Sequence, residues 1–117
     1  MAYMEMFVGP ISAGDKEVYR AYAATMSEIT VKAGAQSAKA FWGLSESNPM
    51  LGPLAATLKA GPDETLAARL VTWASKDARD AGYASMMRDP DPRLVSISLP
   101  FDRTRVVYSA FEELGQV

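Results

Sequence analysis

Two stretches of helical period, set among four of strand period in the order β-α-β-β-α-β, constrain this chain more than any single residue does. Residues 2–8 alternate as a strand, with Tyr3, Glu5 and Phe7 on one face and Met4, Met6 and Val8 on the other. Gly9-Pro10 is expected to end it. Ser12-Ala13-Gly14-Asp15 has capping-box spacing, with Ser12 as N-cap and Asp15 near the positive helix end. Val18, Tyr22, Met26, Ile29 and Ala33 then recur as one face of an amphipathic helix, and Gly34 is a natural stop. Residues 36–43 form a second, Ala-rich strand ending in Phe41-Trp42. A long connection from Ser45 to Pro62 carries Pro49, Gly52, Pro53 and Gly61, with a short helix over Leu54–Leu58. In the third strand, Leu66 to Trp73, the residues Leu66, Ala68 and Leu70 share one face; Ala67, Arg69, Val71 and Trp73 share the other. Ser75 caps a second helix from Lys76 to Arg88, whose Ala78, Ala81, Gly82 and Ser85 let it lie close on a sheet. Asp89-Pro90-Asp91-Pro92 breaks it. Residues 93–102 are irregular, and the last strand runs from Thr104 to Phe111.

This order predicts a single α+β domain over residues 1–117, a ferredoxin-like antiparallel sheet with both helices on one face. The helix-free face is then expected to carry Tyr3, Phe7, Val71 and Trp73, too much apolar surface to leave in water. Pairing two sheets across a two-fold axis buries it, so a homodimer is expected.

The absences narrow the chemistry. With no Cys there is no disulfide, thiolate nucleophile or Fe–S site, and with no His the commonest neutral-pH base and metal ligand are missing. A Ser-His-Asp triad is excluded. The acidic residues lack calcium-loop spacing, and neither a GxGxxG nor a GxxxxGK[ST] phosphate loop occurs. No metal or cofactor is therefore expected. A net charge of −2 with interspersed signs gives no basic block for nucleic acid. No apolar run approaches the ~20 residues of a membrane span. The first residues lack a charged leader and an unbroken apolar stretch, so a cytoplasmic location is expected.

Three groups of residues resemble the YbaA-like family of uncharacterised bacterial proteins, within the dimeric α+β barrel superfamily. Tyr3, Glu5, Phe7, Pro10, Tyr19-Arg20 and Gly34-Ala35 resemble its opening. Ser75, Ala78-Arg79-Asp80, Met87 and Asp89-Pro90 resemble its second helix. Pro100-Phe101-Asp102, Arg105, Tyr108, Phe111-Glu112 and Leu114 resemble its closing signature. The resemblance implies a ferredoxin-like protomer that dimerises sheet to sheet into a dimeric α+β barrel, and it brings no established activity. The chain departs from the family pattern at Glu5, where Asp is usual, and at Ser37, Ala40 and Leu44-Ser45, which are neutral where acidic residues are usual.

Five residues are candidates for binding a ligand, and no catalytic residue is assigned. Glu5 and Arg69 are expected to face away from the helices on neighbouring strands, either as an ion pair fixing register or as a carboxylate poised by an apolar wall. Arg105 either pairs with Glu112 or Asp102 or clamps an anion at the barrel mouth, while Tyr108 packs under a helix with its hydroxyl bonded. Trp42 and Trp73 either line a pocket for a flat ligand or fill the dimer core. Tyr19 and Tyr22 are expected to provide helix-to-sheet packing and one partly exposed ring. Three functions are open on these residues: a small-molecule-binding protein, a cofactor-independent oxygenase or isomerase suggested by superfamily analogy, and a structural or interaction role for the dimer with the loop 45–62 as a partner surface.

Overall fold

In a computed structural model, described over residues 1–44 and 52–117, four strands form one antiparallel sheet in the order β2-β3-β1-β4. The strands are β1 (Tyr3–Ser12), β2 (Ser37–Trp42), β3 (Glu64–Trp73) and β4 (Val107–Glu112). The helices are α1 (Lys16–Lys32), α2 (Gly52–Thr57), α3 (Lys76–Arg88) and the single turn α4 (Arg93–Ser96). The order and antiparallel pairing are compatible with the ferredoxin-like pattern expected from the sequence. The connecting residues from Ser45 to Leu51, including Pro49, lie outside the described residues.

β1 does not stop at Gly9-Pro10 but continues to Ser12, pairing Pro10 with Leu66 and Ile11 with Thr65 of β3. Its ladder with β4 ends at Val8–Val107, so beyond that point β1 has a strand on one side only. A residue without an N–H is tolerated on such an edge. Gly9 is needed at the end of that ladder: a Cβ there would stand 2.8 Å from Val106 Cγ2. β4 starts three residues later than expected, because Arg103–Arg105 coil into a 3-10 turn capped by Asp102.

Ser12 caps a 3-10 turn, Ala13–Asp15, rather than α1 itself, which begins at Lys16. Of the expected face of α1, Ile29 is buried, Tyr22, Met26 and Ala33 are half-buried and Val18 is exposed, while Tyr19, Ala23 and Thr30 are buried beside them. Gly34, at φ 119°, ends the helix as expected, and its N–H donates to the Val31 carbonyl. Ser75 caps α3 as expected, its Oγ accepting from the Ala78 N–H at 3.1 Å.

The alternation of β3 sets the core. Ala67, Arg69, Val71 and Trp73 are buried, while Leu66, Ala68, Leu70 and Thr72 are half-buried. The parity read from the sequence holds, but the side is reversed. Trp73 is fully buried against α3, where Gly82 meets its ring, and the cluster around it takes in Val71, Tyr3, Phe7 and Tyr83. The set expected on the helix-free face therefore lies beneath the helices. A second cluster joins Ile11 and Ala67 to Tyr19 and Ala23 of α1. Strand alternation assigns residues to two faces without saying which face the helices cover, and both faces of β1 are apolar. The helix-free face instead carries Met4, Met6, Leu66 and Leu70, with Phe41, Val107 and Phe111 each more than 40% exposed.

Candidate functional site

Glu5 is the third residue of β1, on the helix-covered face and with no exposed surface. An ionised carboxylate at such a place is tolerated only when donors replace water. Four side chains do so. Trp73 Nε1 donates to Oε1 at 2.7 Å. Tyr108 Oη (2.7 Å), Tyr83 Oη (2.9 Å) and Arg79 Nε (3.3 Å) converge on Oε2. Arg79 and Tyr83 come from one face of α3, four residues apart, and the guanidinium lies 3.9 Å from the Tyr83 ring centroid. Burial, and then the bond to Glu5, push the Tyr83 phenol up to about 12, and the Tyr108 phenol is raised for the same reasons. Both remain neutral donors near pH 7.

Arg69 was expected to be the partner of Glu5. Their strands are neighbours, but Glu5 stands opposite Val71 and Arg69 opposite Phe7, and the cation beside Glu5 is Arg79. Both residues also face the helices rather than away from them. Arg69 is 6% exposed, with its Cζ 5.7 Å from the Phe7 ring centroid. Its Nε and Nη2 are buried and find no hydrogen-bond partner among the described residues.

Arg69 also lines a cavity of 550 Å³ between the sheet and the helices, with its Nε and Nη2 atoms covered by protein. Phe7, Arg69 and Val71 form its floor, Tyr19, Tyr22 and Met26 of α1 one wall, and Tyr83 and Met86 of α3 the other. Leu94, Leu99 and Phe101 line its remaining side. Burial pushes the Tyr19 phenol up to about 12 and raises Tyr22, with the Arg69 charge opposing both shifts. Tyr19 is buried and Tyr22 half-buried, as expected. The volume lies within the roughly 300–1,000 Å³ typical of small-molecule pockets.

The remaining candidates are engaged in packing or ion pairs. Trp73 is part of the Glu5 cluster and the core. Trp42 is half-buried, its ring 6.0 Å from Tyr19 under α1, so neither tryptophan reaches the helix-free face. Arg105 makes a two-pronged bond to Glu64, Nη1–Oε1 2.6 Å and Nη2–Oε2 2.8 Å, and its Nε donates to Asp102 at 3.2 Å. It ties the turn before β4 to the start of β3, and Glu112 is not its partner. Tyr108 has its hydroxyl bonded, as expected, but its ring is 47% exposed beside Phe7. Sequence reasoning missed Arg79 and Tyr83. The available signal was an Arg and a Tyr at i, i+4 flanking the small residues of α3. Among the described residues no group of acidic side chains could hold a metal ion, and no helix is long and apolar enough to cross a membrane.

Comparison with known proteins finds related sequences. A family described as a protein of unknown function (DUF1428) matches residues 2–103. The uncharacterised protein YbaA of Escherichia coli (strain K12) is 29% identical over 114 residues, covering 97% of each chain. The protein of the same name in Shigella flexneri is similar to the same extent.

Proposed function

The chain belongs to the DUF1428 family, and from that premise we propose that it works as a homodimer binding a small molecule in the cavity between sheet and helices. The observation that carries the binding reading is Arg69. A buried guanidinium with unpaired Nε and Nη2, on a residue that lines a largely apolar cavity, is costly unless something else fills its hydrogen bonds. The alternative of an enzyme gains nothing comparable, since Glu5 is occupied by four donors.

The dimer reading rests on exposed area. The single chain exposes 7691 Å², whereas a monomeric protein of its mass exposes roughly 6,200 Å². The excess of about 1,500 Å² exceeds the roughly 800 Å² that one partner buries in an ordinary stable interface. Met4, Met6, Leu70, Val107 and Phe111 supply the apolar surface for a sheet-to-sheet contact. This keeps the ferredoxin-like, dimeric α+β barrel architecture with the opposite face of the sheet inside.

Native mass spectrometry of protein purified from its own host reads subunit number and retained ligand together. A dimer carrying a small added mass is the expected result. Leu99→Trp, which fills the cavity rim, should lose the added mass and keep the dimer. Leu70→Arg should give compact single chains. Wild-type protein that sediments as a compact monomer overturns the dimer. A dimer that carries no added mass and takes up no apolar fluorophore displaceable by Leu99→Trp overturns the binding reading.

A further inference from the structure

Glu5 and Arg69 are both buried on the helix-covered face, and only one of them has its hydrogen bonds filled. The two unpaired atoms of Arg69 are not an arbitrary pair. Nε–H and one Nη2–H point the same way along one edge of the planar guanidinium, the fork that accepts two oxygens of one carboxylate side by side. Everything else that lines the floor and walls near it is aromatic or aliphatic, with neutral phenols at Tyr19, Tyr22 and Tyr83. No acidic residue lines the cavity among the described residues. Arg103 is the other cation on the lining, but it is exposed, and Arg105 is held by Glu64 and Asp102. One buried positive charge suits one negative charge, so a phosphate dianion would bring more charge than the cavity floor answers.

Resting on the cavity as the binding site, we infer that the ligand is an apolar monocarboxylic acid, its carboxylate held side-on by Nε and Nη2 of Arg69 once the side chain turns that edge, covered in this structure, into the cavity. The aryl or alkyl body would lie along Phe7, Val71 and Met86 toward Leu99 and Phe101. A neutral ligand of the same shape fills the same apolar volume and leaves the guanidinium uncompensated, so the contrast between charged and neutral heads isolates the claim.

The experiment is calorimetric titration of full-length dimer with 4-phenylbutyrate, 4-phenylbutanol, octanoate and octanol, on wild type, Arg69→Met and Leu99→Trp. Each acid should bind at least tenfold more tightly than its alcohol to wild type, and this preference should vanish in Arg69→Met while the alcohols bind as before. Circular dichroism and thermal unfolding of Arg69→Met establish that it is folded, and Arg69→Lys, a point charge without the fork, should recover only part of the preference. Alcohols binding as tightly as acids, with binding abolished by Leu99→Trp, overturn the carboxylate assignment and leave the cavity reading standing. Acids preferred equally by wild type and Arg69→Met overturn the role of Arg69. No binding of any of the four to wild type overturns the assignment and the cavity reading together.

Discussion

Gly82→Ala tests the packing on which the Glu5 cluster depends, because two physical effects of that change oppose each other. Replacing glycine by alanine inside a helix is ordinarily worth about 1 kcal/mol of added stability. At this position an added Cβ would stand 2.5 Å from Cζ3 and 2.7 Å from Cη2 of Trp73, and 2.9 Å from the Ala33 carbonyl oxygen. Trp73 cannot readily yield: it is fully buried, and its indole N–H is bonded to Glu5 at 2.7 Å. Relief therefore requires α3 to move outward by about 1 Å, which forfeits a quarter to a half of the dispersion attraction of each affected contact. The same movement stretches the bonds that Arg79 and Tyr83 bring from α3 to Glu5. Overpacking of this kind costs about 1–3 kcal/mol, and weakening two charge-assisted bonds adds to it. Net destabilisation of about 2 kcal/mol is the expected outcome. With unfolding entropy near 2.1 cal/mol/K per residue, this lowers Tm by about 8 °C. Urea unfolding and calorimetry of the variant measure it. The double variant with Trp73→Phe removes the clashing ring atoms and leaves only the 2.9 Å approach to the Ala33 carbonyl, so Gly82→Ala should cost clearly less in that background. A single variant as stable as wild type or more so, or an equal cost in both backgrounds, refutes close packing of α3 on Trp73 as the constraint.

Arg69→Met should raise the stability of ligand-free protein by about 1 kcal/mol or more, since it removes an unsatisfied buried donor; a lower Tm for the folded variant in ligand-free buffer would show that Arg69 is already compensated. Acid should weaken the β3–β4 connection: Arg105 holds the Glu64 carboxyl down to about 2, so its contribution is complete above the ordinary value of 4.5 and is lost as pH falls from there toward 2. Unfolding measured from pH 6 to 2 should therefore be less steep in Glu64→Gln, and an unchanged profile counts against the pair. At the other end of the scale, Tyr19 and Tyr83 are pushed from 10.0 up to about 12, so they stabilise the fold fully below pH 10 and progressively less as pH rises through 12. Ultraviolet titration should show Tyr19, Tyr22, Tyr83 and Tyr108 ionising late in wild type and an earlier Tyr83 in Glu5→Gln; five phenols ionising together near 10 would contradict the burial described.

The fold was legible where local chemistry decides it. Alternation in Leu66–Trp73, the Ser75 cap, Gly34 as a stop and the proline pair after Arg88 each act over a few residues, and each stands where expected. The side of the sheet was not legible. It depends on where α1 and α3 cross the strands, and β1 offers Met4, Met6 and Val8 on one face against Tyr3, Phe7 and Ile11 on the other. That choice turns on Gly82, the residue at which α3 can meet an indole ring. Of the candidate residues, Glu5 and Trp73 meet in the buried carboxylate cluster and Arg69 lines the cavity, whereas Arg105 pairs with Glu64 and Trp42 packs beside Tyr19. The pairing of Glu5 with Arg79 spans 74 positions of sequence, and no periodicity within one element can announce it.

The unequal treatment of the two buried charges follows from what each helix lays over the sheet. α3 crosses near Glu5 and presents Arg79 and Tyr83 on one face, and β4 adds Tyr108 from the other side, so the carboxylate is satisfied from within the chain. Over the cavity floored by Arg69, α1 presents Tyr19, Tyr22, Met26 and Thr30, none of which carries negative charge near neutral pH. The guanidinium cannot shed its proton to escape the cost of burial, as a buried Lys could. On the proposed reading a counter-charge from outside the described residues answers it, and a largely apolar cavity of 550 Å³ favours one attached to an apolar body over a hydrated inorganic ion. Chloride provides the discriminating comparison. If raising chloride at fixed ionic strength stabilises wild type as much as phenylbutyrate at the same concentration does, the counter-charge is a simple ion and the apolar walls play no part in choosing it.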